Sequence, residues 1–440
     1  MTRLKGLRNA AVVLAATLVG AACGGSAGGG GGDNGNKGEI HIGVEMPLSG
    51  TESTQGQPIL KGVQYAAQRA GKVKGYTIKV IAFDDAVNGV HDPQKGAQNV
   101  QSMVGDSKLL GFVGPLNSNV AKTELPIASD ANLAMISPAN TGVCLTKDGA
   151  DPRFPYDAAC GGLAKQLRKS NPNNYFRVVT TDDYQGPAMA DYFLQVLKIQ
   201  KVAVASDNQT YGKGISDAFT AEFKAKGGQV VGPRNDYDQN TTDFKPFLTA
   251  AKNAGAQGIY VGGTTGTKVC QVRGQMKGIF DVSAPFGGGD GIVQDGECVG
   301  QAGELAPNVY ASIAAVDPVH VPSAKSVIDG YKKAFPGAND YTAYSIVATD
   351  AGGILLSAIG KAIDDNGGNM PKRDGVRKAV ASTKNYQGAL GSTSFDANGD
   401  TSVKIISIYK YNSPDPNKAN DEPWVAQENF GDSKPTVKTS

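Results

Sequence analysis

Histidine is scarce: the chain has 3 in 440 residues, His41, His91 and His320. They stand too far apart for a local metal motif, and imidazole acid–base catalysis has few residues to draw on. An excess of one charge is missing too. Lys+Arg total 43 against 41 Asp+Glu, a formal +2, with no run of five like charges, which argues against a nucleic-acid or anionic-membrane partner held by charge. No H-E-x-x-H occurs, and glycine-rich stretches lack the lysine and hydroxyl spacing of a P-loop. What is abundant is glycine, 58 residues or about 13% of the chain, nearly double the usual ~7%. Hydrophobic residues are slightly low at 40%. A tight, turn-rich, soluble α/β protein is expected, long enough for about three domains of ~150 residues or for two larger lobes.

Arg3, Lys5 and Arg8 precede a small and apolar run, Ala10 to Ala22, that ends at Cys23, the layout of a secretory signal. At 13 residues the run falls short of the ~20 of a spanning helix. Leu18-Val19-Gly20-Ala21-Ala22-Cys23 resembles a bacterial lipobox, with Gly20 where leucine is usual. Residues 1–22 are therefore expected to be removed as a signal peptide and Cys23 to carry lipid. From Gly24 to about Lys37 the side chains offer nothing to build a core, so residues 23–38 read as a lipidated cysteine and flexible tether with an r.m.s. span near ~20 Å. Loss of residues 1–22 leaves 40 cations against 41 anions. The expected location is extracytoplasmic, lipid-anchored to the outer face of the cell membrane.

Four further cysteines, Cys144, Cys160, Cys270 and Cys298, make an even set in an exported chain, which predicts disulfides. Local pairing joins Cys144 to Cys160 and Cys270 to Cys298, closing loops of about 17 and about 29 residues. Neither pair has zinc-ligand spacing.

From Glu39 onward short β-rich runs alternate with helical stretches, which predicts parallel strands covered on both faces. Expected strands are 40–46, 78–83, 110–113, 134–136, 176–179, 201–205, 230–237, 258–261, 309–314 and 403–409. Helices are expected over 56–70, 93–104, 120–131, 184–198, 212–226, 244–253, 267–278, 323–335, 342–365 and 373–382. The number of βα units exceeds one doubly wound sheet, and residues after 315 break the alternation, so two lobes fit better. The tail 412–440, with Pro414, Pro416 and Pro423, reads as irregular.

Ligands of such sheets sit at the carboxyl ends of strands. The loops there, 47–57, 84–92, 114–119, 137–141, 206–211, 262–267 and 287–291, are rich in Gly, Ser, Thr, Asn and Asp, groups suited to holding a ligand rather than breaking bonds. Asp396-Ala397-Asn398-Gly399-Asp400 imitates the start of a calcium loop, but Thr401 and Ser407 stand where Gly and Glu belong. A surface turn is expected there, with His91 in a solvent-facing turn and His41 at a strand start. Neither enzyme activity, a cofactor nor a metal is expected.

In order along the chain occur Ile42-Gly43-Val44-Glu45-Met46-Pro47-Leu48-Ser49-Gly50, Asp84-Asp85 with Asp92-Pro93, Gly114-Pro115-Leu116-Asn117-Ser118, and Ile136-Ser137-Pro138-Ala139-Asn140-Thr141. They are followed by Phe176-Arg177, Asp183-Tyr184-Gln185-Gly186, Tyr211-Gly212-Lys213-Gly214 and Asp243-Phe244. This series resembles the leucine/isoleucine/valine-binding proteins of bacterial ABC importers, over residues 39 to about 410. The resemblance implies a type I periplasmic-binding-protein fold of two Rossmann-like lobes with three crossovers, 39–178 plus 314–395 and 181–310 plus 398–411. It also implies that Ser118, Thr141 and the Ala139 backbone hold a ligand carboxylate, and that Tyr211 and Asp290, with Gly291, receive an ammonium. Hydroxyls and amides near helix N-termini can solvate an anion without a cation. Asn117, Thr264 and Gln55 complete the expected set. Gln55 stands where leucine-binding members often have an aromatic wall, Thr264 replaces a common tyrosine, and Val87 and Asn117 occupy the places of the family's own disulfide. Polar amino acids, amides and urea thereby stay open as ligands. The expected role is an extracytoplasmic solute-binding lipoprotein that captures a small amino acid or similar zwitterion and passes it to an ABC permease. The alternatives are a ligand-sensing ectodomain, or the same transport role for amides or urea.

Overall fold

The strand Glu39–Met46 (β1) reads E-I-H-I-G-V-E-M, and Ile40, Ile42, Val44 and Met46 are wholly removed from solvent. These four share one face, and the intervening His41, Gly43 and Glu45 on the other face are buried as well, so the strand is covered on both faces, as strands of a parallel sheet are. β1 pairs in parallel with Tyr76–Asp84 (β2) on one side and Leu109–Val113 (β3) on the other, and Ala134–Ser137 (β4) and Tyr175–Arg177 (β5) extend the sheet. Helices Ser53–Ala70 (α1), Pro93–Gly105 (α2) and Ser118–Asp130 (α3) connect these strands. Asp92 opens α2 by accepting a hydrogen bond from the Lys95 amide (2.7 Å), the side-chain cap that a helix N-terminus needs. The computed structural model describes residues 36–440, apart from 169–172, 338 and 422. Cys23, the signal segment and the tether up to residue 35 lie outside the described residues.

After β5 the chain crosses through Asp182–Asp191 (α4) into a second sheet. Lys201–Ser206 (β6), Gly258–Gly262 (β7), Phe286–Gly287 (β8) and Val309–Ile313 (β9) pair in parallel there, and Thr210–Ala225 (α5) follows β6. A second passage returns to the first lobe, where Ala343–Asp365 (α6), apolar and buried along most of its length, packs on α1. Gly62 permits that close approach, because a Cβ there would lie 2.3 Å from the Ser345 carbonyl oxygen. The third passage leads back to Ile405–Lys410 (β10), antiparallel to β9.

The three passages touch one another. Thr180 N–H donates to the Ala314 carbonyl (2.9 Å) and Arg177 N–H to that of Gly399 (2.9 Å). The Arg177 guanidinium, fully buried, donates from Nε and Nη2 to Asp400 Oδ1 at 2.9 and 2.7 Å. Burial would raise the Asp400 carboxyl, but the Arg177 charge holds it below its ordinary value. The turn expected at 396–400 is present, with Gly399 at φ +87°, yet Asp400 is buried rather than on the surface, because it neutralises an arginine that has nowhere else to go.

Other expectations shift in the structure. The tail is not irregular throughout: Trp424–Asn429 (β11) pairs antiparallel with β10, and Val437–Thr439 (β12) with β11. Pro423 precedes β11, where its missing N–H costs no ladder bond. The single strand expected at 230–237 is two short ones, Gln229–Val230 and Asn235–Asp236, with Gly232 and Pro233 between them. Cys144 and Cys160 lie at disulfide distance, as do Cys270 and Cys298, with Cα–Cα separations of 5.0 and 5.2 Å.

Candidate functional site

The loops after the strands of both sheets converge on one small cavity. From the first lobe come Gln55 in the opening turns of α1, Asn117 and Ser118 where β3 leads into α3, and Ala139 and Thr141 after β4. From the second come Tyr211 at the start of α5, Thr264 after β7, and Asp290 and Gly291 after β8. The structure thus brings together all nine residues singled out from the sequence as ligand contacts. Leu116 and Tyr344, which were not singled out, line it as well.

Asp290 is the hub. Its Oδ1 accepts from the Tyr211 hydroxyl (2.7 Å) and Gln185 Nε2 (3.2 Å), and its Oδ2 from the Tyr344 hydroxyl (2.8 Å). Burial pushes the carboxyl above its ordinary range, and the Tyr211 and Tyr344 phenols hold back part of that rise. A carboxylate offers about four acceptor sites, so these three donors leave room for one more. Among the described residues no lysine or arginine lines the cavity, and a cation brought by a ligand would find its counter-charge here. Gly289, one residue before, has no space for a side chain: a Cβ would lie 2.1 Å from the Tyr211 hydroxyl.

The opposite wall offers short polar groups. Ser118 Oγ accepts from Gly142 N–H (3.2 Å) and donates to Asn140 Oδ1 (3.3 Å), and Ala139 N–H donates to Ser137 Oγ (3.3 Å). Bonds this long are readily exchanged for a ligand carboxylate. Asn117 occupies the position before α3 without bonding a helix N–H, and its Oδ1 has no hydrogen-bond partner although the residue is 4% exposed. Thr141 lies beside Asp182, whose amide donates to the Thr141 carbonyl (3.0 Å) and whose carboxyl is raised by burial.

The cleft is held shut by bonds between lobes. Gln55 Nε2 donates to the Asp290 carbonyl (3.0 Å), and the Thr264 hydroxyl donates to Glu52 Oε1. Glu52 Oε2 accepts from both the backbone N–H (2.9 Å) and Nδ1 (2.7 Å) of His91, whose Nε2 donates to Gln209 Oε1 (2.8 Å) across the cleft. Asn119 donates to that same Gln209 oxygen (2.9 Å). Both imidazole nitrogens face oxygen acceptors, so the ring is a cation. Burial alone would lower its pKa, but the Glu52 carboxylate overrides this and lifts it from 6.5 to about 9. His91 is therefore a buried bridging group, not the solvent-facing turn residue expected. Its partner stands 39 positions away, and nothing local in the sequence signals the pairing. Gln185 did fall within a motif quoted above, but only its bond to Asp290 gives it a role.

The periplasmic binding protein family profile matches residues 39–414. An amino acid binding protein of Pseudomonas aeruginosa is 26% identical over 383 residues, covering 85% of this chain and 90% of its own length. The Leu/Ile/Val-binding protein homolog 3 of Brucella melitensis is 28% identical over 381 residues, covering 85% and 91%. Among solved structures, the branched-chain amino acid transporter substrate binding protein LivJ of Streptococcus pneumoniae, in complex with isoleucine, matches at a TM-score of 0.69 and 26% identity, over 91% of this chain and 99% of that one.

Proposed function

The chain belongs to the periplasmic binding protein family, and from that premise we propose that it captures a small α-amino acid between its two lobes and delivers it to an ABC permease. The relatives named for amino acids, and the one holding isoleucine, support this ligand class. The observation that carries it is the pairing of Asp290, buried and held by three donors, with a wall of hydroxyls and amides across a cavity that, among the described residues, no lysine or arginine lines. An ammonium meets Asp290, and the carboxylate meets Ser118, Thr141 and the Ala139 amide. A free zwitterion suits such a site because each of its charges finds an opposite partner or a ring of dipoles.

The lobes in this reading are 39–178 plus 314–395 and 181–310 plus 398–411, and bending is concentrated where the three passages lie side by side. Ligand favours the closed form because only that form lets both walls touch it. Lipid on Cys23, with residues 24–37 as tether, would keep the body near the outer face of the membrane and within reach of a permease. A thermal-shift panel of amino acids, amides and carboxylates tests the ligand class, since a ligand at 100 times its Kd adds about 2.7 kcal/mol. X-ray scattering with and without a saturating ligand tests closure, and identical curves would remove that mechanism.

A further inference from the structure

Few aliphatic side chains line the cavity. Leu116 and Ala139 are its apolar residues, and the other side chains present amides, hydroxyls, phenols or the Asp290 carboxylate. Both phenols that reach Asp290 do so through their hydroxyls. Two carboxamides, those of Gln55 and Asn117, are among the lining groups. Gln55 is fixed by its bond to the Asp290 backbone. Asn117 is buried, bonds no amide of the helix it precedes, and leaves its Oδ1 without a partner. A buried acceptor of this kind is costly unless something donates to it. When the cleft is open, water can do so. Closure over an aliphatic side chain expels that water and returns nothing, whereas a hydroxyl or carboxamide replaces it.

Building on the amino-acid reading above, we propose that the preferred ligand is an amino acid with a short side chain ending in a hydrogen-bond donor, as in serine, threonine or asparagine, and that Asn117 and Gln55 select it. A site built to pair with a polar group rejects the analogue that lacks it far more strongly than an apolar pocket rejects one methylene. Asn117 acts as the direct acceptor. Gln55 holds the wall polar where an aliphatic residue would otherwise welcome a branched side chain.

Titration calorimetry on the purified protein, with serine, threonine, asparagine, alanine, valine and leucine as probes, tests this. At least one of the three polar amino acids should bind about tenfold or more tighter than leucine. In Asn117→Ala and in Gln55→Leu that ratio should fall below about threefold, even where loss of the lining group lowers affinity for every probe. The ratio of polar to aliphatic affinities, with the ligand-free melting temperature, separates lost selectivity from lost folding. Leucine or valine binding as tightly as every polar probe would overturn the inference and leave the amino-acid reading standing. A polar preference that survives both substitutions would overturn the assignment to these residues. Failure of every amino acid to bind would overturn both readings.

Discussion

Closure of the cleft should take up a proton at His91, and ligand affinity should fall as pH rises. In the closed form the ring is buried between Glu52 of its own lobe and Gln209 of the other, with a pKa of about 9. Asp85 adjoins it on the same lobe and Asp207 on the other, and both carboxyls are themselves pushed up by burial. Opening the cleft removes Gln209 and Asp207 and returns the ring to water, where the ordinary value is about 6.5. A cation whose pKa is higher when closed stabilises the closed form fully below the open-form pKa, and this contribution is lost as pH rises through about 9. If opening restored the ordinary value, linkage predicts a loss of affinity of up to about 40-fold between pH 6.5 and 8.5, or about 2.2 kcal/mol. Glu52 stays beside the ring in the open form and retains part of the shift, so about tenfold is the working expectation. Calorimetry in buffers of different ionisation enthalpy counts the protons directly. His91→Gln, which keeps a donor but not the charge, should bind with a flat profile over the same range. A wild-type affinity constant between pH 6.5 and 8.5, or an unchanged slope in His91→Gln, would refute the reasoning.

Arg177→Met should lower stability by about 3–5 kcal/mol in urea unfolding, because Asp400 is left buried and unpaired. Replacing Cys270 and Cys298 together by serine should cost about 3–4 kcal/mol on chain-entropy grounds, and unreduced, unfolded protein should show no alkylated thiol among the four cysteines; four alkylated cysteines would end the disulfide assignment. Cys23→Ala should move the protein from the membrane to the soluble fraction, whereas continued membrane association would count against lipidation.

The alternation of strands and helices was legible because each element is uniform in period and bounded by glycine or polar turns, as at 39–46 and 93–105. The cavity residues were legible because they stand directly after strands, where open sheets place ligands, and because the motifs around Ser118, Thr141 and Tyr211 resemble a known series. Pairings over long separations left no such trace. Arg177 and Asp400 are 223 positions apart, and Asp400 sits in a stretch that spells a surface turn. His91 similarly ends a two-residue hairpin strand, Val90–His91, and its bond to Gln209 comes from a lobe that local sequence does not describe. The strand Trp424–Asn429 was hidden by the prolines before it, since its pairing with Ile405–Lys410 is a tertiary fact. Tyr344 stands in an apolar helix, and only the fold brings its hydroxyl to Asp290.

The central claim is that Asp290 receives the ammonium of an amino acid enclosed between the lobes. It is tested most directly by titrating wild type and Asp290→Ala with the tightest-binding amino acid and with the matched carboxylic acid that lacks the amino group. The account predicts that Asp290→Ala weakens amino-acid binding by about 2–5 kcal/mol, through leaving the ammonium unpaired in a closed site, and that wild type discriminates against the deaminated acid by a similar factor. An Asp290→Ala variant within threefold of wild type, or a deaminated acid bound as tightly as the amino acid, would contradict it.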